Sequence, residues 1–256
     1  GDQRVRLSAA LTALESGATA DGCEQILRLA DEWRRAGRDG DSRWAEFRCL
    51  DERIRKKQLD IAADVIDDWF PVREPTESVS MGLLAVKLAA AAFDITDWAL
   101  MDTLLTHARA AFADVDPRLS TLTDLRKGKA TVLRGQFSEV LQILQPTAEL
   151  LRREAPGSLR LASVQNELAW ANLNLGHLAE AERLLRDTLV IARARSLNDV
   201  DLSKYQGHLA MVLHARNDLD GAEREVEQAL QRLIDMQAGD KFIAPVWNNL
   251  GVIRRD

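Results

Sequence analysis

Gly135-Gln136-Phe137-Ser138-Glu139-Val140, Gly176-His177-Leu178-Ala179-Glu180-Ala181 and Asn217-Asp218-Leu219-Asp220-Gly221-Ala222 are three copies of one pattern, set 41 residues apart. The stretches before them keep the same step. Gln165 and Leu168 return as Gln206 and Leu209, and again as Trp247 and Leu250. A fixed period of this size predicts a stacked helical array, in which each unit buries its apolar face only against its neighbours.

Working outward from these copies, apolar residues at steps of three and four predict thirteen helices. They fall at roughly 4–16, 20–36, 43–57, 59–70, 77–93, 96–114, 118–134, 137–155, 158–175, 178–195, 199–216, 219–237 and 241–255. Turn chemistry separates them at Gly37-Arg38-Asp39-Gly40, Pro71 to Pro75, Asp116-Pro117 and Pro156-Gly157. Helices joined in twos by short turns make hairpins, so the expectation is six pairs and one unpaired C-terminal helix. Spacing slips from 41 to 37 near Pro71–Pro75, which marks the weakest joint.

Composition supports an all-α chain. Ala, Leu, Arg, Glu and Asp dominate, and the six prolines fall mostly at predicted helix boundaries. With 46% hydrophobic and 29% charged residues the chain has the make-up of a folded protein rather than a disordered one. Its net charge of −6 argues against broad nucleic-acid binding, which rests on an excess of Lys and Arg. The basic run Arg53-Ile54-Arg55-Lys56-Lys57 is read as a solvated helix end. Cys23 and Cys49 lack any framework pattern and sit among apolar residues, so they are expected to be buried free thiols in a reducing cytoplasm. No apolar run reaches the length of a membrane span.

One unit shows how a hairpin closes. Leu161, Val164, Leu168, Ala171 and Leu175 form one stripe of the first helix, and Gly176 supplies the left-handed residue that ends it. Ala181 marks the helix crossing, with Leu184, Leu185 and Leu189 completing the core. The order Leu, Gly-x-Leu, Ala, Leu resembles the tetratricopeptide repeat, and Trp247-Asn248-Asn249-Leu250-Gly251 matches that motif's opening Trp-x-x-Leu-Gly. The resemblance is well formed over 118–256 and degenerate over 1–117. It implies one domain over 1–256, a right-handed superhelix of stacked antiparallel helix pairs, or α-solenoid. The long period resembles the sensor region of MalT-like, LuxR-type regulators and also kinesin light chain. The helix opened at Trp247 has no partner after it, so the chain is expected to be a fragment of a longer protein. Phe242, Ile243, Val246, Trp247 and Leu250 are expected to present an unpartnered apolar stripe.

The usual catalytic constellations are missing. His208 and His214 are six apart and so do not share a helix face, and no Cys or Glu completes a metal set around them. Gly128-Lys129-Ala130-Thr131 lacks the first glycine of a phosphate loop and lies within a helix rather than after a strand. Asp64, Asp67 and Asp68, and Asp39-Gly40-Asp41-Ser42, lack calcium-loop spacing and are read as solvated surface. No nucleophile motif is present. The reading is therefore a non-enzyme with no cofactor and no metal.

By resemblance, the first helix of each tetratricopeptide pair lines a concave groove. That register carries the groove onto Asn166, Trp170 and Leu173, then onto Gly207, Met211 and His214. Lys129 falls on the equivalent stripe one period earlier, Asn248 and Arg255 on the one that ends the chain. Apolar area with a few polar groups suits a ligand or peptide. Trp170 and Met211 can equally fill space between long helices, and both readings stand at this point. The two-carboxylate clamp of the family's chaperone-binding members is not matched, because Trp170 occupies its Asn position. The expected function is non-catalytic recognition: a sensor region that binds a small effector, or alternatively a peptide- or protein-binding adaptor. The expected partners are thus an effector, peptide or protein in the groove and other domains of the parent chain, with no nucleic acid and no membrane.

Overall fold

The computed structural model describes residues 6–7, 9–10, 19–38, 41–42, 45, 48–49, 75–113, 115–195, 197 and 199–255. Among them are ten long helices and no strand. In chain order these are α1 (Thr19–Arg35), α2 (Pro75–Asp94), α3 (Trp98–Phe112), α4 (Pro117–Leu133) and α5 (Phe137–Glu154). They continue as α6 (Leu159–Asn174), α7 (Leu178–Ala194), α8 (Asp199–Ala215), α9 (Leu219–Asp235) and α10 (Asp240–Arg255). The helices expected at 4–16, 43–57 and 59–70 fall mostly outside the described residues, as do the basic run at 53–57, the Pro71–Pro75 joint up to its last residue, and the three aspartates at 64, 67 and 68. The chain divides into two compact units, Gly1–Arg126 and Lys127–Asp256.

In the first unit α2 and α3 form a hairpin. Leu88, Ala89 and Ala92 of α2 and Met101, Leu104, Ala108 and Phe112 of α3 are all buried. Gly82 lies directly against the Phe112 ring, where any larger residue would displace that ring. A separate buried cluster gathers Ala10, Cys23, Ile26, Ala30, Trp33, Ala45 and Cys49. Here the structure corrects the sequence reading. Cys23 and Cys49 are joined by a disulfide, with Cα atoms 5.1 Å apart, rather than left as free thiols. A spacing of 26 residues says nothing about pairing; the packing of the helical segments decides it. Reduction is expected to cost this cluster about 3 kcal/mol, as for closure of a loop of this size. Amide exchange across α1, with and without reductant, checks it; unchanged protection would show that the bridge holds nothing.

The second unit repeats one device. Each first helix ends on a left-handed residue: Gly135 (φ 71°), Gly176 (φ 80°) and Asn217 (φ 66°). The next N–H then reaches back five residues to a carbonyl the helix left open. Gln136 donates to Thr131 (3.1 Å), His177 to Asn172 (2.8 Å) and Asp218 to Leu213 (2.9 Å). The pattern that returns every 41 residues is this turn. Thr96 (φ 62°) makes the same turn between α2 and α3, where Asp97 donates to Ala92 (3.0 Å).

Hairpins α6/α7 and α8/α9 stack on their neighbours, and α10 packs on both α8 and α9. Leu161, Val164, Leu168 and Ala171 are buried as expected, and so are Ala181, Leu184, Leu185 and Leu189. Leu175 is only half-buried because it caps α6. Two of the five residues expected to form an open stripe on the last helix are not open. Val246 and Leu250 are buried in the contact with the preceding hairpin, while Phe242 and Trp247 remain exposed. The buried amide of Gln206 is satisfied by Glu225 (3.0 Å), Gln228 (3.4 Å) and Arg232.

Candidate functional site

The first helices α6 and α8 lie side by side in the second unit, and the side chains they turn toward each other form the candidate site. Pairs across this wall are 42 residues apart, one more than the repeat. Ser163 Oγ meets the Tyr205 hydroxyl at 3.3 Å, and Asn166 Oδ1 meets His208 Nδ1 at 2.8 Å. The next pair along, Gly207 and Asn249, continues the row, with Asn249 Nδ2 donating to the Gly207 carbonyl at 3.4 Å.

The hydrogens in this row can be placed by elimination. Asn166 Nδ2 donates to Glu167 Oε1 at 3.2 Å, because a carboxylate only accepts. Asn166 Oδ1 therefore faces His208, whose Nδ1 must carry the proton and donate. That leaves Nε2 of the neutral ring as an acceptor. Burial, and after it the positive charge of Lys204, pushes the His208 pKa down to about 3. Lys204 Nζ in turn lies 3.6 Å from Glu167 Oε1, whose side chain is 7% exposed. Burial holds the Tyr205 phenol above its usual range, with the Ser163 hydrogen bond pulling the other way.

Trp170 sits over this network. Its ring and that of His208 have centroids 4.6 Å apart, with planes inclined by 33°. Imidazole therefore covers one part of the indole, and Trp170 as a whole is half-buried. Leu173, Met211 and His214 are half-buried as well. Lys129 is half-buried on α4, while Asn248 and Arg255 are exposed on α10. Asn166 differs from all of these. It is fully buried, and its amide is taken up by His208 and Glu167, so it belongs to the wall between the helices.

Sequence reasoning missed Ser163, Glu167, Lys204, Tyr205 and His208. Stepping by 41 finds residues that are equivalent, whereas residues that touch are offset by one more. A search for complementary polar pairs at 42 would have found Asn166 with His208 and Ser163 with Tyr205.

Residues 161–198 match the family model described as Tetratricopeptide repeat. No curated protein shows a significant match to the chain. Among solved structures, BtubC (BKLC) from P. vanneervenii is similar with a TM-score of 0.59 at 16% identity, covering 93% of this chain and 94% of that one. The apo form of RapI is similar with a TM-score of 0.65 at 9% identity, covering 100% of this chain and 71% of that one. At such identities the likeness is one of fold. The described elements are all helical and stacked in the manner of tetratricopeptide-like arrays, and no described helix is long and apolar enough to cross a membrane.

Proposed function

We propose that this array is a non-catalytic recognition scaffold that binds a peptide or protein segment along its first helices. The observation that carries this reading is the row Trp170, Leu173 and Met211. These residues keep part of their surface open on successive first helices, beside polar groups that already satisfy one another. An apolar row flanked by satisfied polar groups offers binding area without the cost of stripping water from unpaired charges. Lys129, His214, Asn248 and Arg255 are assigned to the ends and rim of the same groove. A small effector in place of a peptide, as in the sensor region of a MalT-like regulator, is the narrower form of the proposal. The flanking sequence of the gene tests it: a phosphate loop upstream and a helix-turn-helix downstream would support the regulator, and their absence would favour the adaptor.

Selection from a displayed peptide library tests the groove itself. Selected peptides are expected to lose affinity by about 2 kcal/mol with Trp170→Ala, as for an aromatic anchor. They should also weaken with Met211→Asp, and be unaffected by Val190→Ala, whose side chain is 66% exposed on α7. Peptides that respond to Val190→Ala and ignore Trp170→Ala would refute the assignment.

A further inference from the structure

Positions that the array buries twice are open a third time. Ala162, Gln165 and Ala169 of α6 return 41 residues on as Ser203, Gln206 and Ala210 of α8, and again as Ala244, Trp247 and Gly251 of α10. The six on α6 and α8 are at most 3% exposed. The second helix of each hairpin covers them. Thr188 of α7 donates to the Ala162 carbonyl at 3.5 Å, and Glu225 and Gln228 of α9 accept from Gln206. On α10, which packs on α8 and α9, all three counterparts are exposed. Trp247 keeps 51% of its surface open, and a Cβ added at Gly251 would meet nothing within 4 Å.

This open face reads the same in both directions. At about 3.6 residues per turn, Asp240, Ala244, Gly251 and Arg255 fall along its centre, with Trp247 and Asn248 on either side, and all six are exposed. A two-fold axis between Trp247 and Asn248 sets a second α10 antiparallel to the first. It brings Ala244 opposite Gly251, Trp247 opposite Asn248 and Asp240 opposite Arg255, each pairing occurring twice. Small residues facing each other let the two backbones approach. The indoles flank that contact, and a carboxylate meets a guanidinium at both ends. Antiparallel is also the direction in which α7 and α9 lie on α6 and α8, since short turns join them. Lys241 falls opposite Arg254 as a like-charge pair, but Arg254 is already held by Glu223 at 2.7 Å and Glu227 at 2.5 Å.

We propose that this face of α10 is the contact of a symmetric homodimer. The α10 of a second copy takes the place that α7 and α9 fill in their own hairpins. Self-complementarity names the occupant, because α10 itself carries the opposite charge and the small residue that each of its positions requires. One helix face is small beside the about 800 Å² per partner of a standard complex, so association in the micromolar range is expected. Asn248 and Arg255, assigned above to the rim of the groove, also belong to this contact. Trp170 does not.

Sedimentation equilibrium of the chain, from about 1 to about 200 µM, tests this on the affinity scale expected. A reversible monomer–dimer equilibrium should appear within that range. Gly251→Gln has room in the single chain, so it should keep the melting temperature of dilute protein while weakening dimerisation about tenfold or more. Asp240→Arg and Arg255→Asp should each weaken it about tenfold, by setting like charges opposite each other at both ends. Mixed together, these two variants should form a heterodimer tighter than either homodimer, because Arg then faces Asp at both ends. That preference does not depend on Gly251→Gln folding well. Trp170→Ala should leave dimerisation unchanged, so the groove and the dimer can fail separately. The proposal is overturned if the chain stays monomeric throughout, which would leave the face to a different helix. It is equally overturned if Gly251→Gln folds and dimerises as well as the native chain, or if the mixed charge variants show no preference for each other.

Discussion

Leu168→Asp is expected to unfold the second unit at room temperature, and Leu168→Ala to cost it about 2–5 kcal/mol. Leu168 is 2% exposed, on the stripe of α6 that meets α5 and α7. Alanine there leaves a cavity between two hairpins, and aspartate adds an unpaired buried carboxylate to it. A domain holds only about 5–15 kcal/mol in all, so the second change exceeds a large part of the total. Trp170→Ala should cost less, about 1–2 kcal/mol, because the indole keeps part of its surface open and loses chiefly its contact with His208. The order of the two alanine variants in urea decides between wall and groove. If Trp170→Ala proves as damaging as Leu168→Ala, the indole is interior packing and the groove assignment fails.

Acid is expected to destabilise the second unit through His208. Its native pKa lies near 3, below the ordinary 6.5, because burial and Lys204 disfavour the charged ring. Between those values the unfolded chain binds a proton at this residue and the folded chain does not. Stability from His208 is therefore fully present above about pH 6.5 and is lost as pH falls toward 3. The ring keeps some exposure, so we place the loss at about 1–2 kcal/mol by pH 5. Carboxylates also titrate near the acid end, and the comparison must isolate the histidine. Urea midpoints at pH 7 and pH 5 should differ more for the native chain than for His208→Gln, which keeps a side-chain amide at the Asn166 contact. An equal shift in both proteins would remove His208 from the account.

The sequence by itself determined the helices of the second unit almost to the residue. The reason is local: a left-handed glycine or asparagine must end each first helix, and small residues at Ala181 and Ala222 mark each crossing. The same local signals place the core stripe, since spacing of three and four leaves Leu161, Val164 and Leu168 no other shared face. Contacts between units of the array are not local, and only the tertiary structure decided them. The joining of Cys23 to Cys49 depends on how separate segments pack, and 26 residues of spacing carry no trace of it. The His208–Asn166 wall depends on an offset of one residue between neighbouring helices, which the period alone does not reveal. That offset turned Asn166 from an expected ligand contact into a buried strut. It also made a neutral histidine the floor beneath Trp170. Short-range chemistry fixes where each helix starts and stops, and the docking of one helix on the next fixes which side chains are left to meet a partner.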